Sequence, residues 1–268
     1  MRSIISRKTG LGALRIGLSL CVLLGLFWGI AALVDNPLLL PTPDKILLAL
    51  LGLLKTEEAR GLFFSSIAYS LLRVMLGLLL GAAAGILIAL LSYFSSAAHT
   101  LFHPLLVVIR ATPVASFVLL VWCFTGSRVL PIVIAALMVL PMVADNLLSG
   151  LQAADPKLLE VASLYRFSAA KQFFLCRLPS ALPYLFTALS SAVGFAWKAG
   201  IAAEILMTST PVTSIGKNIY FAKAYMQTEE VFAWTAVVVL LSLFIEWIVK
   251  FLLRFSKDNK KNETTNAK

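Results

Sequence analysis

SLLRVMLGLLLGAAAGILIALL, residues 70–91, carries a single ionisable side chain, Arg73, between its first residue and its last. An α-helix rises ~1.5 Å per residue, so about twenty such residues cross the ~30 Å hydrocarbon layer of a bilayer. A surface helix of a soluble protein would need a polar face, and this stretch has none. The rest of the chain agrees. Of 268 residues, 60% are hydrophobic and 13% are charged, a charged share roughly half the ~25% usual in soluble domains. The expected fold is therefore an all-α membrane protein with six transmembrane helices, at about 14–34, 64–91, 101–124, 129–149, 179–205 and 231–254.

Within the quoted stretch, Gly77, Gly81 and Gly85 recur at four-residue spacing, with Ala82, Ala83 and Ala84 between them. Small residues on one stripe let a second backbone come close, which is how helices in lipid gain packing energy without a hydrophobic drive. The stripe reads as helix packing inside the bundle; a subunit contact or a sliding surface is the other reading.

The formal net charge is +10, but the basic residues stand in short stretches beside the apolar runs, so their placement reads as topology and not as a nucleic-acid surface. With the amino terminus inside, the inner segments hold Arg2, Arg7, Lys8, Arg15, Lys157, Arg166, Lys171, Arg177, Lys250, Arg254, Lys257, Lys260, Lys261 and Lys268. The outer segments hold Lys45, Lys55, Arg60, Arg128, Lys217 and Lys223. The excess favours both termini in the cytoplasm, and six spans have the matching parity. Residues 1–13 are then a cytoplasmic N-terminus, 14–254 one transmembrane domain, and 255–268 a polar cytoplasmic tail expected to be disordered. The run from Ile16 to Val34 is too long for a signal-peptide core and lacks a small-x-small site after it, so it reads as a retained first span. Cys21, Cys123 and Cys176 lie far apart without metal-ligand or disulfide spacing and read as structural. No catalytic constellation and no metal site is expected.

Between spans one and two, PLLLPTPDK begins at Pro37, and its prolines fix an extended entry. Leu47, Leu50, Leu51 and Leu54 then suit a short amphipathic helix on the outer surface.

Between spans four and five runs DPKLLEVASLYRFSAAKQFFLCRLPSALPYL, residues 155–185, too apolar for an idle loop. Asp155 before Pro156 is a helix start, a capping carboxylate followed by proline at the first helical position. Leu158, Val161, Ala162 and Tyr165 fall on one side of a short helix, Ser168 suits a second cap, and Pro179 and Pro183 mark the entry to span five. An apolar helix held at a membrane surface needs a partner.

This stretch resembles the coupling segment of ABC importer permeases: Glu-Ala-Ala, three residues, Gly, nine residues, Ile-x-Leu-Pro. Glu160, Ala162, Leu178 and Pro179 stand in register. Val161, Arg166 and Cys176 depart from it, and Arg166 in place of glycine must either take a costlier backbone conformation or reshape the turn. LLLPTPDKILLAL, the quoted 70–91 run, HPLLVVIRATPVAS, NLLSGLQAADP, LPSALPYLFTAL and VGFAWKAGIAAEIL resemble, in order from Leu38 to Leu206, blocks of the nitrate, sulfonate and taurine class of permeases. The resemblance implies a type I importer permease fold working in the bacterial cell membrane with a second permease subunit, most simply a homodimer. It also implies two ABC ATPase subunits that dock on residues 155–179 and an extracytoplasmic solute-binding protein. No G-x-x-x-x-G-K-[ST] phosphate loop is present in the sequence, so ATP is expected to be used by the partner ATPase, with no cofactor bound by this chain.

Charges inside the spans are expensive, about 2.5–3.5 kcal/mol each at mid-membrane on insertion scales. Arg110 stands before Pro113, which interrupts span three; Trp197, Lys198 and Glu204 stand in span five. These four are the candidates for the translocation path. A cationic lining from Arg110 or Lys198 would suit an anionic solute; the alternative is helix anchoring, with pairing to Glu204 or Asp145. Lys198 and Glu204 point to different faces, six residues apart at ~100° each. Arg73 reads as interfacial, Glu246 as a partner for Lys250, Trp197 equally as packing, and His99 and His103 as needing no special role. An ion-coupled secondary transporter and a non-transporting scaffold are the competing functions.

Overall fold

The computed structural model describes the backbone of residues 2–206 and 212–266 and the side chains of 17–19, 21–206, 212–249 and 251. Lys268 of the charge pattern lies outside the described residues, as does the side chain of Lys250, so the expected Glu246 partner falls there too.

The described chain is helical: α1 (Arg2–Val34), α2 (Pro43–Gly52), α3 (Glu57–Phe94), α4 (Ser96–Ala111), α5 (Val114–Trp122), α6 (Leu130–Gln152), α7 (Pro156–Leu164), α8 (Ala169–Gln172), a π-helical turn (Phe173–Arg177), α9 (Leu178–Leu206), α10 (Ile215–Ala224) and α11 (Thr228–Asn266). Five stretches among the described residues are long and apolar enough to cross a membrane: Gly17–Val34, Glu57–Phe94, Leu130–Gln152, Ala169–Leu206 and Thr228–Val249.

The sixth expected span is not one helix. α4 and α5 meet at 109°, and Thr112 between them is extended, as a residue before proline should be. A bent pair is either one broken crossing or a loop that returns to its own side. Packing decides between them. Cβ atoms built on Gly77, Gly81 and Gly85 would lie 2.6, 2.4 and 2.7 Å from the carbonyl oxygens of Ile132, Ala136 and Leu140. Both series climb by four, so α3 and α6 run in the same direction. The chain leaves α3 beside the far end of α6, where Leu147 and Leu151 pack with Ala89 and Tyr93. It re-enters at Leu130, near the level of Gly77. The 17 residues of α3 from Gly77 to its end at Phe94, roughly 25 Å of helix, separate those levels, and the α4–α5 pair carries the chain back across them. The pair is one crossing, which makes six.

By its internal contacts the chain divides into two units, residues up to Phe64 with Asn218–Val237, and Ser65–Lys217 with Val238–Lys268. In the first, Phe27 approaches Phe232 (6.2 Å between centroids) and Phe63 approaches Trp234 (5.4 Å). The Thr228 hydroxyl there donates to the Leu38 carbonyl (2.8 Å). α2 starts at Pro43 after an extended Thr42, but none of its residues is buried, so the expected leucine face at Leu47 and Leu51 lies open.

The second unit is built on α6. α9 runs antiparallel to it, since Gly150 meets Ala181 and Tyr184 while Leu130 and Ile134 pack with Ala199 and Ala203. One apolar cluster joins α5, α6 and α9 through Val118, Val121, Leu130, Ile134, Ala199 and Ala203. A second, at the other end of α6, joins Ala89, Leu147, Leu151, Phe173 and Ala181.

Two helices run past the expected spans: α1 begins at Arg2, and α11 continues to Asn266. Neither glycine nor proline interrupts the sequence from Thr228 to Asn266, so nothing local ends the helix at Phe255.

Candidate functional site

α7 leaves α6 after a three-residue link. Asp155 Oδ1 accepts from the Lys157 N–H (2.9 Å), Pro156 fills the first helical position, and the Ser163 hydroxyl donates to the Glu160 carbonyl (2.7 Å). Ala162 is buried, while Leu158, Val161, Leu164 and Tyr165 are exposed, Leu164 by 80% and Tyr165 by 74%. The sequence grouped Ala162 with Leu158, Val161 and Tyr165; the structure turns Ala162 inward and adds Leu164 to the open face. Glu160 is exposed beside it.

Arg166 takes the costlier conformation. Its φ is 53°, and the turn closes with Phe167 N–H to the Ala162 carbonyl (3.0 Å) and Arg166 N–H to the Ser163 carbonyl (2.9 Å). That is a Schellman C-cap, whose left-handed position is normally glycine. A side chain there costs about 1 kcal/mol. Arg166→Gly is therefore expected to leave the turn unchanged and to raise thermal stability slightly; a lowered melting temperature would show that the exposed guanidinium makes a contact of its own.

The return to α9 is pinned at several points. Ser168 accepts from the Lys171 N–H (3.3 Å) and starts α8, and Lys171 Nζ lies 4.1 Å above the Phe167 ring. Phe173, in the π-helical turn, packs on Tyr93 and Phe94 (5.7 and 5.1 Å). Arg177 donates to the Leu151 carbonyl at the end of α6 (3.3 Å) and lies over Tyr93 (5.5 Å). Cys176 is buried, Leu178 half-buried and Pro179 exposed. The Arg177 contact satisfies one of the carbonyls that a helix end leaves without a partner. Both ends of the α7 segment are thus tied to the same end of α6.

The path candidates separate. Arg110 Nη1 lies 2.7 Å from Asp145 Oδ2, an ion pair between partly exposed groups. Trp197 is buried and its indole N–H donates to the Val238 carbonyl (3.2 Å). Lys198 is exposed on α9. Glu204 is 1% exposed, so Lys198 and Glu204 do lie on different sides of the helix. The structure also corrects Arg73: it is 6% exposed, and its Nη1 lies 3.5 Å from Glu204 Oε1. Glu204 Oε2 accepts from the Ser70 hydroxyl (2.7 Å) and the Gly216 N–H (3.2 Å), and Ser70 Oγ accepts from the Ile215 N–H (3.0 Å). A signal for Ser70 and Arg73 stood in the sequence. Ser66, Ser70, Arg73 and Gly77 continue the glycine stripe backwards at spacings of three and four.

Against known proteins, the description "binding-protein-dependent transport system inner membrane component" matches residues 58–257. The chain belongs to that family. Among relatives, the permease is 31% identical to a putative aliphatic sulfonates transport permease protein of Bacillus subtilis, over 80% of this chain and 76% of that one. It is 27% identical to a taurine transport system permease protein of Escherichia coli, over 88% and 86%. A bicarbonate transport system permease protein of Synechococcus elongatus is 30% identical over 73% and 71%. The fold matches a solved amino acid ABC transporter chain with a TM-score of 0.62 at 19% identity, over 77% of this chain and 97% of that one. The fold is that of a type I importer permease. The permease is a multi-pass membrane protein and not an enzyme, ATP hydrolysis falling to a separate subunit.

Proposed function

We propose that the permease forms the translocation path of an ATP-driven importer for a small anionic or vitamin-like solute. A solute-binding protein delivers the solute, and ATPase subunits dock on α7 at the cytoplasmic face. The observation that carries this reading is the geometry of α7: a short helix clamped at both ends to one end of α6, with four apolar side chains turned to the open. Exposed apolar patches of this kind mark partner surfaces. Basic residues around it, Lys157, Arg166, Lys171 and Arg177, support a cytoplasmic position under the positive-inside rule. The clamp gives docking a mechanical meaning, since force applied to α7 passes through Arg177 and Phe173 to α3, α6 and α9, and helices rocking as rigid bodies open or close a path.

The anionic solute is supported by the names of the relatives, which carry sulfonates, taurine and bicarbonate, and by exposed Lys198 on α9. Arg110 contributes less net charge, being paired with Asp145. Two permease subunits would enclose the path, and a homodimer is the simplest assembly. The test is uptake of labelled ethanesulfonate, taurine, nitrate and bicarbonate into proteoliposomes holding the permease, its ATPase and its binding protein. Uptake is expected only with all three and ATP; uptake by the permease alone, driven by an ion gradient without ATP, would overturn the reading in favour of a secondary transporter.

A further inference from the structure

Glu204 is a charged group with almost no access to solvent, and it joins three pieces of chain: Ser70 and Arg73 on α3, its own α9, and the start of α10. The two N–H groups it and Ser70 occupy, those of Ile215 and Gly216, open α10. First-turn N–H groups have no partner within their own helix. Their acceptors here come from α3 and α9, one directly and one through the Ser70 hydroxyl. Gly216 is fitted to the contact, because a Cβ there would lie 2.3 Å from Glu204 Cβ and 2.6 Å from the Ile205 nitrogen.

A buried ion pair is a poor device for stability, since well-packed apolar residues in its place are often as good or better. Its gain is directional. Apolar packing tolerates sliding, whereas a carboxylate that accepts from a hydroxyl and a backbone N–H at 2.7 and 3.2 Å fixes one register. We infer that Ser70, Arg73 and Glu204 are positioning residues for transport, a latch that pins the start of α10 to α3 and α9. Arg73 lies beside Glu204 and aims it, Ser70 donates to Glu204 and accepts from the Ile215 N–H, and Gly216 supplies the room. The carboxylate is committed to these contacts and does not meet the solute.

The part played in transport rests on the permease reading, but the latch itself does not, so two readouts are used in the full reconstituted complex. The first is amide exchange at Ile215 and Gly216, which needs no solute. Ser70→Ala is expected to speed exchange at Ile215 about tenfold, and Glu204→Ala to do so at Gly216, by loss of a buried hydrogen-bond acceptor. Equal exchange at Gly216 in the wild type and in Glu204→Ala overturns the latch, whatever uptake does. The second is uptake of labelled taurine and ethanesulfonate. Arg73→Met leaves a buried carboxylate unpaired and is expected to lower uptake at least about tenfold. Adding Glu204→Gln removes that charge while its amide oxygen still accepts from Ser70 and Gly216, so the double variant is expected to recover both uptake and Gly216 protection. Protection without uptake in the double variant overturns the positioning role and assigns the charges to solute or gating. Should Arg73→Met fail to insert in the membrane, Ser70→Ala carries the test alone: faster exchange at Ile215 with uptake wholly unchanged overturns the role.

Discussion

Gly81→Val is expected to prevent the permease from assembling as a stable bundle, whereas Gly25→Val is expected to be nearly silent. Both glycines lie in apolar helices, so hydropathy does not separate them. The neighbours do. Around Gly25 nothing beyond its own stretch of helix backbone lies within 4 Å of where a Cβ would stand; at Gly81 a Cβ would lie 2.4 Å from the Ala136 carbonyl oxygen, 2.8 Å from the Ala136 Cα and 2.9 Å from the Val139 Cβ. Two of those three are backbone atoms and cannot rotate away. α3 must then withdraw from α6, losing contacts along the whole Gly77–Gly85 seam. Overpacking against side chains costs typically 1–3 kcal/mol; against a fixed backbone, about 3 kcal/mol or more is expected, a large part of the ~5–15 kcal/mol that holds most domains together. Size-exclusion profile and melting temperature in detergent check it. A Gly81→Val protein that runs and melts like the wild type would mean the two helices are not in contact at this seam.

That seam shows which part of the fold is legible in sequence. Four-residue glycine spacing specifies a close approach, because only a second backbone uses that room. What the spacing leaves open is the partner, and the matching carbonyls of Ile132, Ala136 and Leu140 make it α6 of the same chain. Span three is the opposite case. Pro113 announces a break, but its angle depends on tertiary packing: α5 leans on Leu130, Ile134, Ala199 and Ala203 while α4 lies toward the other end of α6. Helix ends were the least legible feature. Hydropathy marks where lipid ends, and a helix stops where its backbone has cause to stop, so α1 and α11 run past the apolar segments.

At the candidate site, local chemistry was legible and long-range pairing was not. Asp155–Pro156 and Ser168 cap as their types require, and the missing glycine at Arg166 correctly signals a strained turn, since a left-handed residue in a C-cap is a demand of the backbone itself. The pairing of Arg73 with Glu204 spans 131 residues of sequence. A single charge in an apolar run reads equally as interfacial or buried until the helix is rotated by its own stripe. Placing Arg73 on the Ser70–Gly77 side would have turned it inward.

Leu164→Asp is expected to uncouple the ATPase from the permease while leaving the membrane bundle intact. On the docking reading, Leu164, Tyr165, Val161 and Leu158 form one apolar face whose burial supplies the affinity, and Leu164 is its most exposed member. Burying a leucine side chain yields roughly 1.5–3 kcal/mol, and an aspartate in its place must shed its water without a partner, so a weakening of about a hundredfold or more is expected. Glu160→Ala at the edge of the face is expected to lower uptake sharply as well. Neither change reaches the features that hold α7 in place: the Asp155 cap, buried Ala162 and the Arg177 contact to Leu151 are untouched. The measurements are co-purification of the ATPase and the stimulation of its activity by the permease, with the melting temperature as the control for folding. Full ATPase stimulation in Leu164→Asp would move the docking surface away from α7. Loss of stimulation with an unchanged melting temperature would tie coupling to this one helical turn, whose orientation is set by a left-handed arginine.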